Sequence, residues 1–372
     1  ATVDFNTVSC MDTTGGAANI FIFGCPSEWI EGTGGTTVWT PRSSHAAVCF
    51  EDGVVVTTGG TDPVGTRGDV CATTAGGTAL TLVEETNFTG RAIHAIARVP
   101  GSLGAFLVIC GQYWADGSSA TLFNDALLTT DRGKSFVTKS SGVFTSARNY
   151  VGLVAVNSTK YVAFGGLTKL DGDSNEVRKS DDSGATWETV RVHDPTNGAG
   201  ECASLGATMW APHGGFAYAF MPLRKRILLA GGNTGPGGYG EDVWGSDDEG
   251  VCWQLLAAAF DGTAGSGGYY QASLVVLALG GVEILVLAGG IMPNGNGGEN
   301  KVHRSLDGGS TWELVAHSGV MWPGRSAFAM VFNPANNEIA VLGGSLSGTP
   351  LNDFWTANVI PFFPQVRQNP WP

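Results

Sequence analysis

Charge is what this sequence has least of. Charged residues make up 14% of its 372 positions, and lysine occurs only 7 times, beside 13 arginines and 33 acidic residues. The net charge of −13 excludes a surface built to hold nucleic-acid phosphates. No apolar run is long enough to span a membrane. The longest candidate, residues 272–291, is interrupted by Glu283, Gly280-Gly281 and Gly289-Gly290, and it predicts two strands about a turn. The seven cysteines (Cys10, Cys25, Cys49, Cys71, Cys110, Cys202 and Cys252) include no C-x-x-C pair, which excludes the common zinc spacings. Their odd number allows three disulfides with one thiol over, free or available to join subunits. The chain opens on Ala1-Thr2-Val3 without Met, as a processed secreted protein would. Sequons at Asn87 and Asn157 fit the same route. Arginine outnumbers lysine, which favours fork-like recognition of anions.

What the sequence has in excess is glycine, 56 residues interleaved with apolar and aromatic ones. That mixture predicts many tight turns between short strands rather than collagen or low complexity. Six apolar runs end in glycine, at Gly59, Gly111, Gly165, Gly231, Gly289 and Gly343, and a glycine pair is the usual form. Their spacing of 52 to 66 residues matches a four-stranded propeller blade. Within each unit a strand such as 44–50 meets a turn (Glu51-Asp52-Gly53) and the glycine-ended strand follows, which is a hairpin signature. Turn residues Asn157-Ser158-Thr159 put the second sequon at an exposed hairpin tip. The glycine pair suits a place where backbones approach too closely for a Cβ.

Units two to five carry a second signature: Thr129-x-Asp131-x-Gly133-x-Ser135-Phe136, Ser180-x-Asp182-x-Gly184-x-Thr186-Trp187, Ser246-x-Asp248-x-Gly250-x-Cys252-Trp253 and Ser305-x-Asp307-x-Gly309-x-Thr311-Trp312. It resembles the Asp-box turn of sialidases and related propellers, a structural motif in which Trp187, Trp253 and Trp312 are expected to be core. The glycine pairs resemble kelch repeats. So does the element opening several units: Pro41-Arg42 with His45, Gly90-Arg91 with His94, Ala147-Arg148 and Gly324-Arg325. Units four and five depart from it.

These resemblances imply an all-β, six-bladed propeller over residues 39–358, with a Pro-rich tail at 359–372. Residues 1–38 would form a strap, pinned by Cys10 and Cys25, and a closing strand at Thr36–Trp39 that completes the last blade. Counting the strap as a seventh blade is the alternative. Placed before the innermost strands, Arg42, His45, Arg91, His94, Arg148 and Arg325 would line one mouth of the channel and bind a glycan or an extracellular protein. The opposing reading makes them kelch-consensus residues bonded to neighbouring loops.

A secreted, non-catalytic recognition or scaffold module is therefore expected. The alternative is a sialidase-like glycoside hydrolase in which the arginines bind a carboxylate and Glu201 pairs with Tyr269 or Tyr270. Its Arg-Ile-Pro motif is missing. A copper oxidase of the galactose oxidase type would need two His, two Tyr and a cross-linked Cys, and no such set emerges. No cofactor is expected beyond calcium, for which Asp171, Asp173 and Asn175 have alternating oxygen-ligand spacing without the distal Glu. Trp114 and Trp322 are the tryptophans placed to face a ligand.

Overall fold

The computed structural model describes residues 29–32, 39–84, 89–114, 120–170, 172–194, 202, 209–234, 238–260, 268–293, 297–315 and 320–359. Among these residues there is no α-helix, and no helix is long and apolar enough to cross a membrane. The strands form six four-stranded antiparallel sheets, five of them each drawn from one stretch of the chain. The first holds Ala46–Cys49, Val55–Thr58, Val70–Ala72 and Thr81–Glu84. The inner strands of the next four sheets are Ala95–Arg98, Gly152–Ala155, Ala217–Met221 and Ser273–Leu279. The sixth sheet joins Ala329–Asn333, Glu338–Leu346 and Thr349–Asn358 to Trp29–Glu31 from the other end of the described chain.

Local sequence accounts for this pattern. The second strands Val55–Thr58, Phe106–Ile109 and Tyr161–Phe164 are buried at every position, because a neighbouring sheet covers each face. Phe106–Ile109 and Tyr161–Phe164 read as continuous apolar runs for that reason rather than as alternating ones, while Val55–Thr58 ends in two buried threonines. The outer strands, such as Val137–Ser140, are exposed or half-buried. The segment at 272–291 folds as the expected hairpin, with Ser273–Leu279 pairing Val282–Ala288 about Gly280 and Gly281. Asn157 lies exposed at its own hairpin tip, between Gly152–Ala155 and Tyr161–Phe164.

Packing occurs between successive sheets. Val48, Phe50 and Val56 of the first meet Phe106, Val108 and Leu127 of the second. Val55 and Cys71 of the first meet Ala329, Leu342 and Phe354 of the sixth. Six equivalent hydrogen bonds tie each unit to the next. The second glycine N–H (Gly60, Gly111, Gly166, Gly232, Gly290 and Gly344) donates to the carbonyl of Arg91, Arg148, His213, Tyr269, Arg325 and Arg42 respectively. The first glycine is needed because a Cβ at Gly59 would lie 2.2 Å from the Arg91 carbonyl oxygen, at φ +62°. In the second unit that place belongs to Cys110, at φ 57°, so Gly111 is the second glycine of its pair.

The expected closing strand is corrected. Trp29–Glu31 pairs with the last sheet, Trp29 opposite Ala357. Residues 36–38 lie outside the described residues, and Trp39 is fully buried with its ring edge-on to His45 rather than in a strand. Residues 1–28 of the expected strap with its two cysteines, the tail beyond residue 359 and the sequon Asn87 also lie outside the described residues. Of the three disulfides that the cysteine count allowed, one is formed among the described residues. Cys202 bonds Cys252, while Cys49, Cys71 and Cys110 are free thiols, the last two buried, so neither of those two is placed to link subunits.

Candidate functional site

The repeated arginines are the natural place to look, and the structure removes them from the surface. Arg42, Arg91, Arg148 and Arg325 are each 0–1% exposed. Each guanidinium meets a carboxylate of its own unit: Arg42 with Asp69, Arg91 with Asp125, Arg148 with Glu176 and Arg325 with Asp353. Three of these pairs are bidentate; the Arg325 Nη1 and Nη2 atoms both lie 2.6 Å from Asp353 oxygens. Each Nη1 also donates to the carbonyl of Gly59, Cys110, Gly165 or Gly343, and each Nε to the carbonyl two residues earlier. An aromatic ring covers each, with Phe144 4.1 Å from Arg148 and Trp322 5.5 Å from Arg325. The expectation that these arginines converge on a ligand is corrected, because their donors are already engaged and they fasten the opening of each unit to its second and third strands.

His45 and His94 are buried as well, though neither ring nitrogen of His45 has a hydrogen-bond partner among the described residues. His94 shares a 2.7 Å hydrogen bond with Thr58. Burial, reinforced by the adjacent arginine, pushes both imidazoles down to about 3, so they are neutral at physiological pH. Trp322, expected to face a ligand, is fully buried, and Trp114 is half-buried with its backbone N–H on Thr66.

The second signature forms self-contained turns. Asp182 accepts from Ser180, from the Ala185 and Thr186 amides and from the Thr186 hydroxyl, which hold its carboxyl down near 2. Asp131, Asp248 and Asp307 make corresponding bonds. Trp253 is fully buried, whereas Trp187 and Trp312 are only half-buried, a correction to the expectation that all three are core. Cys252 stands where the other turns have Ser or Thr, and its sulfur goes to Cys202 instead.

Of the calcium candidates, Asp171 lies outside the described residues. The buried Asn175 uses its amide on the backbone of Asp194 and Trp210. No group of three or more His, Cys, Asp or Glu is placed to hold a metal among the described residues. For the hydrolase reading, Glu201 lies outside the described residues, and Tyr269 is buried against Phe260 at a centroid distance of 4.9 Å.

The accessible polar cluster lies elsewhere. An axial cavity of about 280 Å³ is lined at its narrow end by Ser44, Ile93, Tyr150, Gly215, Gln271 and Ala327, the residues two places after each arginine position. All six have left-handed φ values between 51° and 70°, and five backbone hydrogen bonds link them in order into a collar: Tyr150 to Ile93, Ile93 to Ser44, Ser44 to Ala327, Ala327 to Gln271 and Gln271 to Gly215. At this collar Tyr150 and Tyr270 lie 5.6 Å apart, and Tyr239 stacks on Tyr270 at 5.3 Å. Gln271 donates its amide to the Tyr150 hydroxyl at 2.9 Å. All four are half-buried.

Burial, then the neighbouring Tyr150, raises the Tyr270 phenol, and Asp173 in the short Gly172–Asp173 strand adds to the same shift. Burial raises the Asp173 carboxyl to about 6, and no described residue donates a hydrogen bond to it. Tyr150, Tyr239 and Gln271 were missed in the sequence, where Asp173 was read only as a calcium ligand. The available signal was a break in the repeat. Where other units place Ser43, Ala92 or Ser326, the fifth places Tyr270, and the arginine itself becomes His213 in the fourth unit and Tyr269 in the fifth.

A family model described as the DUF6242 beta propeller domain matches residues 115–360. No curated protein matches the chain.

Proposed function

The chain belongs to the DUF6242 beta propeller domain family, and from that premise we propose a secreted, six-bladed recognition module that binds a neutral carbohydrate on the face carrying Tyr150, Tyr239, Tyr270 and Asp173. Six four-stranded sheets, the bond from Gly344 to Arg42 and the Trp29–Glu31 strand support six blades closed between the two ends of the chain. The Asp-box reading of the four turns is supported by their shared bonding, and the kelch reading by the arginine-to-glycine contacts. The Cys202–Cys252 bond and the exposed Asn157 tip support an oxidising, secretory route.

One observation carries the binding reading: a half-buried carboxylate, without a donor among the described residues, stands beside ring-stacked tyrosines. Sugars present apolar C–H faces to aromatic rings and hydroxyl donors to carboxylates, so one ligand answers both features. The arginines are engaged elsewhere, so an anionic ligand has no comparable support here. An array of neutral oligosaccharides followed by calorimetry on the hits tests this. Asp173→Asn and Tyr239→Ala are expected to weaken the hit by roughly tenfold each, the effect of one lost hydrogen bond or stacking contact of about 1.4 kcal/mol. An empty array, or hits indifferent to both changes, refutes it.

A further inference from the structure

At the opposite end of the axis the cavity widens to about 640 Å³ and changes character. Here the inner strand of each sheet contributes an apolar residue to the lining: Val48, Ile96, Val154, Phe220, Val276 and Phe332. Ile96, Tyr218, Leu274 and Met330 line both this space and the narrower one, so the two are continuous. The backbone collar rings the smaller end, and the larger space at the other end is the roomier entrance. At that entrance the charged lining residues are Glu51 and Arg98, and they meet through one 3.1 Å contact from a single Arg98 nitrogen. The pair is partly solvent-exposed on both sides, so its mutual attraction is weak and the remaining guanidinium donors are available.

We propose that the wide end of the channel is a binding site for a single-tailed carboxylate amphiphile, its chain in the apolar cavity and its head group on Arg98. The volume is roughly that of twenty waters at about 30 Å³ each, and it falls in the usual range of small-ligand sites. Water filling such a space has few polar partners on the walls, and an alkyl chain displaces it. The carboxylate takes the guanidinium donors that Glu51 leaves open, with fork geometry that neither a hydroxyl nor an ammonium head offers. The site is independent of the tyrosine face, which lies at the other end of the inner strands.

Titration calorimetry of the full chain with sodium octanoate, decanoate and dodecanoate, below their micellar concentrations, tests the proposal. The expected dissociation constant falls about fourfold per added methylene, or about sixteenfold per two-carbon step. Arg98→Gln weakens decanoate about tenfold and leaves decanol unchanged. Ala278→Trp, at an exposed position lining the entrance, abolishes uptake while leaving the circular dichroism spectrum intact. Tyr239→Ala leaves fatty-acid binding unchanged, which separates this site from the carbohydrate reading. Absence of heat in the unaltered chain overturns the proposal, including the case in which the protein's own chain fills the cavity. So does affinity independent of chain length, or uptake undiminished in Ala278→Trp.

Discussion

Asp125→Asn is the perturbation that separates a buried fastening from a binding site. Arg91 is 1% exposed and its two Nη atoms lie 2.7 and 3.0 Å from the Asp125 oxygens. The substitution keeps one acceptor and the side-chain volume but removes the compensating charge. A guanidinium deprived of its counter-ion inside a protein costs about 3–5 kcal/mol. The Cys110 carbonyl and the Phe123 ring, 4.4 Å away, remain to solvate it and place the value at the lower end, about 3 kcal/mol. The assay is urea denaturation followed by tryptophan fluorescence, where the midpoint falls at unchanged slope. Arg91→Met alone strands Asp125, which is 23% exposed and reaches water, so it is expected to cost less than Asp125→Asn. The double variant recovers part of the loss, with a coupling of about 1–3 kcal/mol. A cost below about 1 kcal/mol for Asp125→Asn would refute the fastening role and return Arg91 to the list of available ligand donors.

Other outcomes follow from the same structure. His213 stands at the arginine position of the fourth unit, fully buried, with neither ring nitrogen hydrogen-bonded among the described residues, and Asp242 nearby has an unbonded buried oxygen. His213→Arg is expected to raise the urea midpoint by the equivalent of about 1–3 kcal/mol by satisfying these groups. Burial holds His45 and His94 at about 3 and His213 at about 4, all below the ordinary 6.5. The unfolded chain therefore takes up protons first, and stability falls as pH drops from 6.5 toward 4, by up to about 1.4 kcal/mol per unit for each imidazole. Urea midpoints across that range check it, and His94→Gln should flatten the slope. The Cys202–Cys252 bond closes a loop of 50 residues, so Cys252→Thr is expected to cost about 2–4 kcal/mol and to abolish the sensitivity of the midpoint to reductant.

How much of this was legible in the sequence depended on whether a feature is local. The hairpins, the glycine approach and the Asp-centred turns rest on neighbours a few residues apart, and the spacing carried them. The partners of the arginines did not show. Asp69, Asp125, Glu176 and Asp353 follow at distances of 27 to 34 residues across loops of unequal length, and only the sheet register brings them back. The closing strand was misplaced for a related reason. Thr36–Trp39 has the stronger strand composition, yet Trp39 is drawn into the seam between the sixth and first sheets, where Arg42 covers its ring at 5.7 Å. Pairing then falls to Trp29–Glu31, whose Trp29 reaches Trp322 at 6.0 Å.

The repetition that made the fold readable also says where to look for function. A residue type that recurs at one place in most units is held there by a requirement every unit shares, and the arginines, their carboxylates and the glycine pairs all meet such requirements. A ligand breaks the pseudo-symmetry, so its contacts belong where the pattern fails. It fails on one side of the axis: His213 and Tyr269 replace arginine in the fourth and fifth units, and Tyr270 and Gln271 follow at once. Tyr150 and Asp173 come from the third unit, which keeps Arg148, and Tyr239 from the fourth, so the tyrosine cluster joins the two units that have lost the fastening to the neighbour that retains it. Restoring the repeat there is therefore a test in both directions. Tyr270→Ser, the residue of the first and sixth units at that place, should leave the urea midpoint within about 1 kcal/mol, since a half-buried ring is removed from a collar held by backbone bonds. The same change should abolish binding of any oligosaccharide found on the array. Loss of the fold with Tyr270→Ser would make the cluster a structural substitute for the missing arginine rather than a site.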